Sequence, residues 1–158
     1  MKNKLRILRK NKMSLLKKFE RELEDIKEIT EEQVKEKLEY LVNAPLSYPE
    51  GFDLTDGIFR LMEKCKANKK DERFREAVYR KVIKILEAEL GEEDINHQTD
   101  YASSLLSNFM HPEIPKEYAL KIYPVFLRAI ERFFKKRGYK QEIEVMMLQK
   151  LKTIIEDK

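Results

Sequence analysis

One cysteine, Cys65, stands in 158 residues, which rules out an intrachain disulfide and a cysteine-based metal cluster. There is no tryptophan, and His97 and His111 are the only histidines. Four glycines and five prolines are too few for the many tight turns of an all-β sandwich or barrel. None of the glycines falls in a GxGxxG or P-loop spacing, so no phosphate cradle is written in the chain. No apolar run approaches the ~20 residues that span a bilayer. The first residues are basic but lack the continuous apolar segment of a signal peptide, so a cytoplasmic location is the expectation.

What the chain does have is charge and apolar residues in helical rhythm. Charged residues make up 39% and hydrophobic ones 42%, the balance of a folded domain with a heavily charged surface. The net charge of +4 is unevenly placed. Lys2, Lys4, Arg6, Arg9, Lys10 and Lys12 carry six positive charges with no acid among them, and without these six the net charge is −2. Residues 1–12 are therefore read as a basic arm, and residues 13–158 as a single all-helical domain.

Apolar positions recur at three- and four-residue steps along nearly the whole chain. Lys2 to about Glu28 reads as a first helix, with Leu16, Phe19, Leu23, Ile26 and Ile29 on one face. Thr30 and Gln33 form a capping box for a second helix to Asn43, with Val34, Leu38, Leu41 and Val42 inward. Ala44 to Phe52 holds Pro45, Pro49 and Gly51 and reads as a loop. A third helix begins near Asp53, Thr55 or Asp56 and runs to about Ala67. Asp71 caps a long helix to Leu90, followed by Gly91. Glu92 to Thr99 is either a loop or the first turns of the helix carrying Tyr101, Leu105, Leu106 and Phe109. His111, Pro112 and Pro115 break the pattern. Pro115 suits the first position of a helix to Arg137 that contains Pro124. A last helix covers about Lys140 to Glu156.

The reading is all-α, with six or seven antiparallel helices joined by short connectors. Residues 56–90 and 100–134 echo one another at an offset of 44. Leu61 falls on Leu105, Met62 on Leu106, Cys65 on Phe109, Phe74 on Tyr118, Val78 on Ile122, Tyr79 on Tyr123, Val82 on Phe126, Ile83 on Leu127 and Leu86 on Ile130. A period near 44 resembles the helical-pair repeats of the HEAT and armadillo kind, a likeness of architecture that carries no site residues. A closed helical bundle is the alternative.

The candidate sites are basic. Lys4, Arg6, Arg9 and Lys10 of the arm suit phosphates or an anionic lipid surface, against the simpler reading of a solvated terminus. Arg128, Arg132, Lys135 and Lys136 gather near the end of the longest helix, where cations also offset the helix dipole. If the long helices stack side by side, Arg80 and Lys84 extend them into one exposed basic stripe. His97 with Asp94 and Asp100 is a loose metal spacing, better read as caps and surface polar groups. Cys65 shares an apolar face with Ile58, Leu61 and Met62 and reads as a structural thiol. Ser103, Ser104 and Ser107 read as the small polar face of one helix. No catalytic, metal or cofactor constellation is legible, so an enzyme is not expected. The leading expectation is a small intracellular helical adaptor that binds another macromolecule, a protein or a second copy of itself. A nucleic-acid-binding accessory subunit using the arm and the stripe is the alternative.

Overall fold

In the computed structural model, residues 17–44, 53–88, 92–110, 113–137 and 142–157 are described. Side chains are described for all of these except 53, 92–97, 133–137 and 142–143. Among the described residues there are seven helices and no strand, as the apolar periodicity requires. They are α1 (residues 17–25), α2 (Glu31–Val42), α3 (Asp53–Lys64), α4 (Glu72–Glu87), α5 (Glu92–Phe109), α6 (Lys116–Arg137) and α7 (Glu142–Glu156). None is long and apolar enough to cross a membrane. The chain divides after Asn68 into two compact units, α1–α3 and α4–α7.

Local signals set most helix starts. Thr30 accepts from the Gln33 amide N–H while the Gln33 side chain accepts from the Thr30 N–H, completing the capping box. Val34, Leu38, Leu41 and Val42 are buried, as their spacing predicts. Asp71 accepts from the Arg73 N–H, and the Arg73 guanidinium grips the same carboxylate at 3.0 and 2.7 Å. That grip holds the Asp71 carboxyl below its ordinary range. α3 already begins at Asp53, so Thr55 and Asp56 lie inside its first turn and do not cap it. α5 begins at Glu92, which selects the extended-helix reading of that segment over a loop. Pro115 precedes α6 and its carbonyl accepts from Tyr118 and Ala119, so it stands at the cap rather than inside the first turn.

Helix ends fall earlier than the periodicity implies. α1 stops at residue 25, α3 at Lys64 and α4 at Glu87. After α3, Lys66 takes a left-handed conformation with φ of 53°, Ala67 N–H bonds Met62 O, and Lys66 N–H bonds Glu63 O. This is a Schellman closure built on lysine where glycine is usual. Cys65, next to it, is half-buried, and its Sγ donates to the Leu61 carbonyl at 3.0 Å. The expected loop at 45–52 lies outside the described residues, as do Gly91, His111, Pro112 and Gly138.

In the first unit the three helices meet at Phe19, Leu41 and Gly57. A Cβ on Gly57 would lie 2.7 Å from Leu41 Cδ2 and 3.5 Å from the Phe19 ring, so α3 approaches α2 closely because position 57 has no side chain. Phe19 stacks on Tyr40, and Lys37 pairs with Glu22, which pulls the Glu22 carboxyl below its ordinary range. Arg60 reaches Glu20 across α1 and α3 at 3.5 Å.

In the second unit, α4 packs on α5 and α6, and α7 packs on α5 and α6. Among the described residues α4 and α7 make at most marginal contact. The core is Phe74, Val78, Val82, Ile85, Leu105, Leu106, Ile122, Phe126 and Leu151, each at most 1% exposed. Burying side chains of this kind contributes roughly 1.5–3 kcal/mol each. α4 and α6 run in the same direction, since their partners climb together. Arg75 Nη2 donates to Glu113 O at 2.7 Å, Tyr79 stacks on Tyr118 at 4.6 Å, and Arg132 Nη2 donates to Leu86 O at 2.6 Å. α6 and α7 are antiparallel, with Lys116 Nζ donating to Asp157 O at 3.0 Å. Of the residues paired by the 44-residue offset, Leu61 and Leu105, Met62 and Leu106, Val78 and Ile122, Val82 and Phe126 are buried and Tyr79 and Tyr123 half-buried. In contrast, Phe74 and Leu86 are buried where Tyr118 and Ile130 are half-buried, and Cys65 is half-buried where Phe109 is buried.

Candidate functional site

The parallel course of α4 and α6 places their C-terminal halves side by side. A cleft of about 470 Å³ opens there, lined by Leu86, Glu87, Val125, Arg128, Glu131 and Arg132. Leu86 and Val125 are buried and form its apolar floor; Glu87, Arg128, Glu131 and Arg132 are exposed around it. The lining places two of the expected basic residues, Arg128 and Arg132, together.

The two arginines differ in what they already hold. The Arg132 guanidinium donates to the Leu86 carbonyl, one of the last acceptors of α4, and so closes that helix end. The Arg128 side chain makes no hydrogen bond or ion pair among the described residues, and the same is true of the Glu87 and Glu131 side chains. One guanidinium and two carboxylates thus face solvent around an apolar floor.

Arg80, Lys84 and Glu87 share one face of α4 by helical spacing. Lys84 is exposed and Arg80 half-buried. Their neighbour Lys81 is fully buried, at 0% exposure. Burial, with Lys84 nearby, lowers its ammonium to about 8. Lys135 and Lys136 lie on α6, but their side chains are outside the described residues; so are Lys4, Arg6, Arg9 and Lys10 entirely.

Charges of both signs stand at each end of the α4–α6 seam. Burial first, then Glu72, Glu76 and Glu117, raise the Tyr118 phenol above its ordinary value near the N-terminal ends, where Arg73, Arg75 and Lys116 also stand. Lys84, Arg128 and Arg132 stand toward the C-terminal ends with Glu87 and Glu131. Lys121 lies over the Tyr79 ring at 5.8 Å and ties the middle of the seam.

Sequence reasoning passed over Gln98 and Glu144 in this unit and misplaced Ser103. Gln98, 4% exposed, sends its amide from α5 to Ile85 O at 2.5 Å and Ala88 O at 2.9 Å. The end of α4 is thus held from α5 by Gln98 and from α6 by Arg132. Glu144 on α7, 2% exposed, hydrogen-bonds to Asp100 on α5. Burial, then the Asp100 carboxylate, raises the Glu144 carboxyl to about 8, so Glu144 keeps the proton at neutral pH. Ser103 is buried, not part of a polar face, while Ser104 is half-buried and Ser107 exposed. A polar residue among apolar ones reads as surface in sequence; only the packing of α5 between α4 and α7 turns these inward.

The side chains of His97 and Asp94 lie outside the described residues, and Asp100 is engaged with Glu144. Among the described residues no group of three metal-ligating side chains converges. Compared with known proteins, the chain matches no family model, no curated protein and no solved structure.

Proposed function

We propose that this chain is a small intracellular helical adaptor that holds a segment of another protein along the seam of α4 and α6. The observation that carries this reading is the lining of the cleft. Leu86 and Val125 offer an apolar floor, Arg128 a guanidinium with no partner among the described residues, and Glu87 and Glu131 two carboxylates. A phosphate backbone would meet repulsion from both carboxylates. A peptide with an apolar residue flanked by an acid and a base meets complementary groups on every side.

The packing of α4–α7 supports a repeat-like scaffold for that surface. The expected unit 56–90 crosses the division after Asn68, and within α4–α7 the pairs are instead α4–α5 and α6–α7, stacked so that like helices lie parallel with cross-contacts spanning 38 and 46 residues. Asp100 and Glu144 are themselves 44 apart. In a closed four-helix ring α4 and α7 would be full neighbours. Stacked pairs of helices expose long ridges and seams and serve mostly as binding surfaces.

Selection from a library of random peptides displayed on phage tests the reading. Recovered sequences should share an apolar residue with an acid and a base nearby, and Arg128→Glu should abolish their retention. Failure to enrich any sequence contradicts it. The alternative, a nucleic-acid-binding accessory subunit, draws on the exposed Lys84 and Arg128. It requires oligonucleotide binding that weakens on the order of a thousandfold between low and moderate salt.

A further inference from the structure

We propose that the face of α6 turned away from α4 is a self-complementary surface that docks a second copy of this chain. It leaves the cleft floor untouched and shares one residue with the cleft rim, Glu131. Three stripes run along α6. Tyr118, Lys121, Val125, Arg128 and Arg132 follow the stripe that meets α4. Ala119, Ile122, Phe126 and Ala129 are buried toward the rest of the unit. Lys116, Leu120, Tyr123, Leu127 and Glu131 form the third stripe, at helical steps of four and three.

This third stripe is apolar in its middle and open to solvent. Leu120 is 52% exposed, Tyr123 and Leu127 are half-buried, and Pro124 is exposed beside them. Lys116 and Glu131 are exposed at its two ends. Met146 on α7, 68% exposed, lies nearly opposite Glu144 on its helix and so away from α5. Leu120 and Met146 are thus exposed where each helix turns its back on its parallel neighbour.

The order of groups in the stripe points to the occupant. Folded about the bond between Tyr123 and Pro124, Leu120 falls on Leu127, Tyr123 falls on Pro124, and Lys116 falls on Glu131. A two-fold axis imposes that property: if one residue meets a second across the axis, the second meets the first. Two antiparallel copies of α6 therefore place Leu120 against Leu127 of the second copy, twice. They lay Tyr123 on Pro124 of the second copy, and close each end with a Lys116–Glu131 ion pair. Lys116 already donates to Asp157 O, and its ammonium keeps two further donors for the carboxylate. A surface for an unrelated apolar partner has no need of opposite charges at equal distances from its centre.

Sedimentation equilibrium of the full chain between about 1 and about 100 µM tests this, the range in which an interface of modest area assembles. A reversible monomer–dimer equilibrium is expected. Leu120→Glu should leave only monomer. Lys116→Glu or Glu131→Lys alone turns two attractive pairs into two repulsive ones and should weaken the dimer roughly tenfold. The double variant Lys116→Glu/Glu131→Lys restores attraction across the axis and should recover the original affinity. Circular dichroism of all variants should match the natural chain, because Lys116, Leu120 and Glu131 are exposed and only the one bond from Lys116 to Asp157 O is lost. A natural chain that stays monomeric at the highest concentration overturns the proposal. So does a dimer indifferent to Leu120→Glu, or a double variant weaker than either single one.

Discussion

Single residues in this molecule hold conformations and charges their types resist. Lys66 sits in the left-handed region, where a Cβ costs roughly 1–2 kcal/mol relative to glycine. Its hydrogen bonds are made by backbone alone, so the side chain adds nothing the closure needs. Lys66→Gly is expected to raise stability by about 1 kcal/mol, read from the urea midpoint with an unchanged slope. Glu144 and Lys81 set the pH dependence. Between its ordinary value of 4.5 and about 8, Glu144 holds its proton in the folded chain but not in the unfolded one. Its contribution is full below 4.5 and is lost as pH rises to 8. Lys81 behaves oppositely: between about 8 and 10.5 it is neutral when folded and charged when unfolded, so stability climbs with pH across that window. Each slope is at most about 1.4 kcal/mol per pH unit. The two together place a minimum of stability near pH 8. Urea unfolding across the pH range checks this. Glu144→Gln should flatten the acid limb and Lys81→Met the alkaline limb, whereas a maximum near pH 8 would contradict the assignment.

At the scale of elements, the end of α4 is where three helices are fastened. Gln98 and Arg132 supply donors to the last carbonyls of α4, among which Ile85 O also accepts from the Ala88 N–H. Gln98→Leu leaves buried carbonyls short of a donor and should cost about 2 kcal/mol in chemical unfolding, with the loss confined to stability. The position of α4 was legible in sequence because Asp71 is a cap and Phe74, Val78, Val82 and Ile85 keep a 3.6-residue rhythm. The capping box at Thr30 was legible for the same reason. Helix ends were not. Periodicity continues past Glu87 to Leu90, and nothing in a sequence reports that Gln98 and Arg132 wait to terminate the helix from other elements. Of the basic residues, Arg128 and Arg132 line one cleft because both lie on one face of one helix, which their spacing already shows. Lys81 is buried because it lies between Val78 and Val82 on the inward side of α4. Glu87 and Glu131, which make the cleft mixed in charge, looked like ordinary surface acids.

For the whole molecule, both proposed surfaces lie on the second unit, where α6 has one face for α4, one for the core and one for solvent. The central claim is that the α4–α6 cleft binds protein through groups of both signs. The most direct measurement is the affinity of a display-selected peptide, by fluorescence anisotropy, for the natural chain, Arg128→Glu and Glu87→Lys. Each reversal should weaken binding at least about tenfold, a loss in keeping with an interfacial charge pair turned repulsive, while thermal stability stays unchanged. Affinities that remain equal across the three proteins would contradict the account.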